Sequence, residues 1–352
     1  RRMQEIARMR DRRGKRQRLL RQAATAHAAQ PSLRGAMEAS TKLDIIGLSP
    51  PGFPNSTLAV ALRAHGFIGG ISLECGESLE EIRGVVLAIP SSTPFAFTVS
   101  HSATDLHGII DELSAAGGSI VILCDPQVER LAPDIARCRR AGLKVLVQVT
   151  ELEHAVAAQR CGADDLVLKG NESGGQVGEE TSFVLLQHVR PHVSLPLWVR
   201  GGAALNTSAA CLAGGARGVV LDWQLALCDE SALPEDVKAR IARMDGSETA
   251  ILGQDCPLRY RAFVRPGETG FAQLKEYEER LEPNSTSDVA DLARWRDEVA
   301  SRIRGVAGKA RLIAMGQDAA FAATLATQFR SASAICEAIR RQASQNVETA
   351  AR

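Results

Sequence analysis

The chain has 352 residues but no C-x-x-C pair, and no cysteine at zinc spacing from a histidine. Its longest apolar runs are of the length of SIVILC and GVVLAI. The missing cysteine pairs exclude zinc-finger and dithiol chemistry. The short runs exclude a membrane-spanning helix, which needs about 20 apolar residues. Net charge is only +1, so there is no basic field to gather nucleic acid. The opening RRMQEIARMRDRRGKRQ is basic, but no apolar core follows it and no aromatic interleaves with its arginines. It is therefore not expected to be a secretory leader, and it reads as a solvated helix or linker in preference to a nucleic-acid arm. Its apolar residues give only a weak helical stripe, and residues 1–41 are expected to form a basic helical linker. The start on Arg1 suggests a piece of something longer.

The eight cysteines, Cys75, Cys124, Cys138, Cys161, Cys211, Cys228, Cys256 and Cys336, are scattered through apolar strands and helical patterns. They read as the reduced, mostly buried thiols of a cytoplasmic protein.

A 45% hydrophobic content is ample for a large core. From Lys42 onward it is arranged as eight short β-rich runs: KLDIIGL, GFIGGISL, TPFAFTV, GSIVILC, KVLVQVT, DDLVLKG, LPLWVRGG and ARGVVLDW. Segments of helical period separate them, among them TLAVALRAHG, DIARCRRAG and ELEHAVAAQRCG. Strand alternating with helix predicts a parallel sheet, and near-continuous apolar strands predict one covered on both faces. Eight βα units predict an α/β fold, a closed (β/α)8 TIM barrel, over residues 42–232. Residues 233–310 are expected to form a helical cap, and residues 311–352 helices packing back on the barrel.

Active sites of such barrels lie at the C-terminal strand ends. The glycines concentrate after the sixth and seventh runs. Gly201-Gly202, ahead of the small-residue helix start AALNTSAACLAGG, suits a phosphate held by backbone N–H groups; a tight turn without a ligand is the plainer reading. In KGNESGGQVGEE, Gly174-Gly175 allows a flat ligand to come close to the backbone, and Glu172, Ser173 and Gln176 could hydrogen-bond its edge. Glu179 and Glu180 read as the first turn of the next helix.

These stretches resemble a known group. KGNESGGQVG, VRGG and GGARGVVLDWQLAL, with the late MGQDAAF and SASAICEAI, are similar to the flavin-dependent nitronate monooxygenase family, itself related to FMN-dependent enoyl-thioester reductases. PFAFTVSHSATD is similar to the reductases of polyunsaturated fatty-acid synthases, and KGNESGG-x-VGEET and MDGSETAILG resemble the version carried inside type I polyketide synthases.

The resemblance implies FMN across the barrel mouth. Gly201 and Gly202 would receive the phosphate beside Asp222 and Trp223, with Arg200 pairing to it and Gln317 in the terminal G-Q element. Ser49, Pro50 and Thr98 would line the isoalloxazine. Gln148 and Lys169 would reach the ribityl chain or pyrimidine edge, unless Lys169 is simply a solvated lysine. It leaves room for NAD(P)H as electron donor and for a homodimer. It implies an acyl-thioester or nitronate substrate and carrier-protein neighbours within a megasynthase, with no nucleic acid, membrane or metal.

Three departures stand out: Gln176 where many relatives have histidine, Thr98 in place of an amide, and Trp223 in place of a small residue. An amide cannot move a proton at neutral pH, which leaves His101 or water for that task. Two readings follow: an FMN-dependent oxidoreductase working through Gln176 and His101, or a flavin-poor scaffold that docks carrier domains. A sugar-phosphate isomerase or synthase is weaker, because no acid–base pair is evident.

Overall fold

The computed structural model describes residues 42–350, apart from 91, 92, 255, 257, 266, 281–288 and 307; the expected linker at 1–41 lies outside them. Strands β1 (Asp44–Leu48), β2 (Ile68–Leu73), β3 (Phe95–Ser100), β4 (Gly118–Cys124), β5 (Lys144–Val149) and β6 (Asp165–Lys169) pair in chain order. After the excursion of β7 (Gly175–Val177), β8 (Leu197–Arg200) and β9 (Gly218–Leu221) complete the ring, β9 pairing parallel to β1. All eight runs read as strands in the sequence are the eight strands of the barrel.

Side chains alternate along each strand. Ile46, Ile122, Leu146, Val167, Trp198 and Val220 fill the inside of the barrel. Their neighbours Ile45, Val121, Val145, Leu166, Leu197 and Val219 face outward under the helices. Helices α1 (Thr57–Ala64), α2 (Leu79–Val86), α3 (Leu106–Ala115), α4 (Val128–Arg140), α5 (Leu152–Arg160), α6 (Ser182–Val189) and α7 (Thr207–Ala213) form that outer layer. The starts of α2 and α3 are set locally. Ser78 and Glu81 close a capping box on α2, and Asp105 accepts from Gly108 N (3.0 Å) at α3.

The cap is not purely helical. Beside α8 (Glu235–Ile241), α9 (Thr269–Arg280) and α10 (Val289–Ile303), strands β10 (Thr249–Leu252) and β11 (Arg259–Phe263) form an antiparallel sheet in the order β10-β11-β7. Its third strand is borrowed from the loop after β6, so Gln176 sits opposite Tyr260. Runs as short as TAIL and RYRAF carry little period, and their partner lies far upstream in the chain. Helices α11 (Phe321–Phe329) and α12 (Ala332–Ala350) return to the barrel, where Ile335, Cys336 and Ile339 join the outer core.

The cap has its own apolar centre. Trp295 on α10 is fully buried, stacks on Tyr277 (centroids 6.1 Å apart), meets Tyr260 edge-on and donates from Nε1 to Leu258 O (3.0 Å). Trp295→Ala should therefore cost about 3–5 kcal/mol, as large-to-small core changes do. In limited proteolysis the cap should be cut before the barrel; an unchanged melting temperature would refute this account of the cap.

Candidate functional site

One side chain crosses the C-terminal mouth of the barrel. Arg200, at the end of β8, is wholly buried and reaches across the mouth. Its Nε and Nη2 donate to Asp222 Oδ2 (3.0 and 2.8 Å). Nη1 donates to Glu74 Oε2 (2.9 Å) and Gln148 Oε1 (2.7 Å), and Nη2 also reaches Glu74 Oε1 (3.1 Å). Lys169 Nζ lies 3.4 Å from the same Glu74 oxygen. Burial by itself would raise the Glu74 acid, but the charges of Arg200 and Lys169 outweigh it and bring it down to about 2.

One side of this plug is carboxylate-rich. Glu172 accepts from the backbone N–H of Ser182 (3.1 and 3.2 Å) and from its hydroxyl, so it caps α6. A Cβ built on Gly202 would lie 3.0 Å from Glu172 Oε1, and one on Gly201 would lie 3.2 Å from the Ser173 side chain. Asp318 is buried with Oδ1 unpartnered; burial, and then the charges of Asp222 and Glu172, push its acid well above the ordinary value. Trp223 is fully buried, donating from Nε1 to Ala314 O (2.8 Å) and meeting Phe53 edge-on.

FMN does not fit where the resemblance seats it. A phosphate at Gly201-Gly202 would meet Glu172, and Arg200 already donates all five of its N–H groups to Glu74, Asp222 and Gln148. The glycine pair after β6 serves the chain itself. A Cβ on Gly174 would lie 2.1 Å from Ala314 O, so the close neighbour of this backbone is the segment 314–316, not a flat ligand.

The remaining expected contacts also turn inward. Ser49 accepts from Ser72 N (3.0 Å), and Thr98 accepts from Leu73 N (3.0 Å) between strands. Pro50 is buried, while Gln317 is exposed, its backbone N–H donating to Glu172 O (2.8 Å). His101 is not at the mouth. Its ring is fully buried, with Nε2 2.7 Å from Asp134 on α4 and Nδ1 accepting from Gln127 N (2.8 Å), and burial lowers its pKa. A strand-end histidine can face outward as easily as inward, and this one faces the helices. Glu179 and Glu180 precede α6, whose N-cap is Thr181; they pair with Arg259 and His188.

An open chamber of about 420 Å³ lies on the other side of the plug, above β2 to β6 and beneath the cap. Gln148, Lys169, Gly175 and Gln176 line it, so four of the expected residues do come together. Its other polar walls were not singled out from the sequence: Glu77 in the loop after β2, Asp125 after β4, Tyr260 on β11, and Arg296 and Arg304 from the cap. Glu77 is 5% exposed, its Oε2 accepts from Cys75 N (3.1 Å), and its Oε1 has no partner. Burial, with the nearby charges of Glu74 and Glu81, pushes its acid up to about 7 against two backbone hydrogen bonds. Asp125 holds the left-handed backbone conformation (φ 55°), and burial raises its acid too. Gln176 Oε1 is buried and unpartnered. Burial raises the Cys75 and Cys124 thiols well above their ordinary values, which leaves no thiolate nucleophile at neutral pH. The one available signal was position: Glu77 and Asp125 both follow strand ends.

Residues 111–260 match the family model described as nitronate monooxygenase. A (3aS,4S,5R,7aS)-5-hydroxy-7a-methyl-1-oxo-octahydro-1H-indene-4-carboxyl-CoA dehydrogenase of Rhodococcus jostii is 30% identical over 146 residues, 41% of this chain and 40% of that protein. A nitronate monooxygenase of Paraburkholderia phytofirmans is 29% identical over 111 residues, 29% of this chain and 30% of that protein. FabK from Thermotoga maritima shares the fold, with a TM-score of 0.69 at 20% identity over 92% of this chain and 99% of that one. The chain thus spans less than half the length of either curated relative named here, both of them oxidoreductases by name. The resemblance to the nitronate monooxygenases read from the sequence is met by this match over residues 111–260.

Proposed function

We propose that this chain is a nitronate monooxygenase-type barrel that works without FMN in the family's seat, and that its working site is the chamber above β2 to β6. One observation carries the reading. Arg200 fills the mouth with five hydrogen bonds to Glu74, Gln148 and Asp222, and Glu172 lies against the glycines where a phosphate would sit. A dianion there would displace a satisfied network and face carboxylates in a medium that screens little, which is costly. The chamber instead offers an open space beneath the cap for the end of an acyl chain, and we take the partner to be a carrier-borne acyl group within a polyketide or fatty-acid synthase in the cytoplasm.

A flavin oxidoreductase reducing a thioester or oxidising a nitronate, with NAD(P)H as the donor where one is needed, is the second reading. It is favoured by the family match over residues 111–260 and by Lys169 on the chamber wall.

Purified protein should be colourless, release no FMN on denaturation and show no saturable quenching when titrated with FMN. Stoichiometric flavin, bleached anaerobically by NADPH and reoxidised by a thioester or nitronate, would establish the second reading.

The plug also predicts a pH dependence. The folded-state acid of Glu74 lies below its unfolded value of 4.5, so its contribution is complete above that value and is lost as pH falls toward about 2. The loss should be on the order of 3 kcal/mol. Glu74→Gln should flatten that acid limb and, by leaving Arg200 short of a counter-charge, lower stability at pH 7 by about 3 kcal/mol in chemical denaturation.

A further inference from the structure

We propose that the chamber is an acid–base site in which Glu77 carries a proton to and from a carbon beside a carbonyl group, shifting hydrogen without any redox change. The inference rests on the reading that the chamber, and not the flavin seat, is where this barrel acts.

Glu77 is built as a proton carrier. Its carboxyl is drawn out of water, one oxygen is fixed by Cys75 N (3.1 Å), and the other is buried at the chamber wall with nothing bonded to it. A buried, bare carboxyl oxygen is a standing cost to the fold unless something in the chamber meets it. The wall holds complementary groups. Gln176 Oε1 also lacks a partner, and so does the buried Nε–H of Arg296. Lys169 Nζ reaches the same space. A ligand that satisfies this set has a carbonyl oxygen for the cationic donors, a hydrogen to give to the carboxylate and a donor for the Gln176 amide oxygen.

The step balances without a cofactor. The Glu77 carboxylate takes a proton from the carbon next to the carbonyl, and the C–H electron pair becomes the C=C bond of an enolate. The charge moves to the carbonyl oxygen, where a donor such as Lys169 or Arg296 stabilises it. The proton then returns to the same carbon, giving exchange, or to the γ-carbon of a β,γ-unsaturated acyl group, giving a shifted double bond.

The environment suits the task. Burial leaves the Glu77 acid at about 7, where proton transfer in either direction near neutral pH is cheapest. The charged groups around it are Glu74 and Glu81 near its own loop, Lys169 on β6, and Asp105 and Asp125 after β3 and β4. From the cap come Arg296, Asp297 and Arg304, and the titratable Cys75, Cys124 and Tyr260 are all pushed out of the neutral range by burial.

The full chain, its absorbance at 450 nm recorded first, is incubated in D2O with 3-butenoyl and acetoacetyl thioesters of N-acetylcysteamine and followed by NMR. Deuterium should enter the α-carbon faster than in buffer, at a rate that rises through about pH 7. Glu77→Gln, checked as folded by circular dichroism, should lose at least about 100-fold of that rate. Glu77→Asp should recover part of it. No exchange above buffer with either thioester, or equal exchange in wild type and Glu77→Gln, overturns the proposal. Colourless protein without exchange would sink this inference alone. Yellow protein with Glu77-dependent exchange would sink the flavin-free reading alone.

Discussion

Everything at the mouth of this barrel depends on where Arg200 goes. A guanidinium taken wholly out of water must be met by charge and by acceptors, since its desolvation costs several kcal/mol and more. Here Glu74 meets it with both oxygens and Asp222 with one, while Gln148 accepts a further bond. These partners come from the ends of β2, β9 and β5, on different sides of the ring. A planar fork that satisfies all of them must span the mouth, so the electrostatics of one residue decide the shape of the site.

Two consequences follow from that span. The space beside Gly201 and Gly202 becomes a corner lined by acidic side chains, in which Glu172 is occupied by Ser182 and Asp318 is pushed toward its neutral form. The open volume moves to the far side, under a cap whose sheet includes the strand that carries Gln176. The glycines remain in both corners but for internal reasons. Gly174 passes close under Ala314, and Gly201 and Gly202 hold left-handed backbone beside Glu172.

The fold was legible because it rests on repetition. Eight runs of β-branched residues at regular spacing report a barrel whichever loops decorate it, and short-range capping by Ser78 and Asp105 fixes the helices. The site was legible only in part, because side-chain direction at a strand end is decided by partners elsewhere in the chain. His101 and Ser100 are neighbours, yet His101 turns out to Asp134 and Ser100 turns in to Asp125. Nothing within VSHSATD separates the two. Arg200 was read as a phosphate ligand because its position beside Gly201 permits that role; only the burial of Glu74 and Asp222 in the same mouth assigns it another. In ECGESLEE the position of Glu77 is masked because the same stretch is a helix entry. Ser78 and Glu81 build the cap of α2, and the residue just before them is left to point inward.

The relation to the nitronate monooxygenases and the shape of this mouth are compatible, because a fold and a site are constrained by different residues. The barrel needs its apolar alternation and its closing register. Neither is disturbed when an arginine at a strand end pairs with two carboxylates. What such a pairing does change is the chemistry the mouth can support. In the reading proposed above it leaves no place for an anionic cofactor, and the same Glu74 adds to the burial that lifts the Glu77 acid to about 7. Glu74 thus acts on both sides of the plug: its charge holds Arg200 across the mouth and, from the chamber side, adds a smaller push to the burial that discourages Glu77 from losing its proton. The two sides of the plug are linked through this one carboxylate.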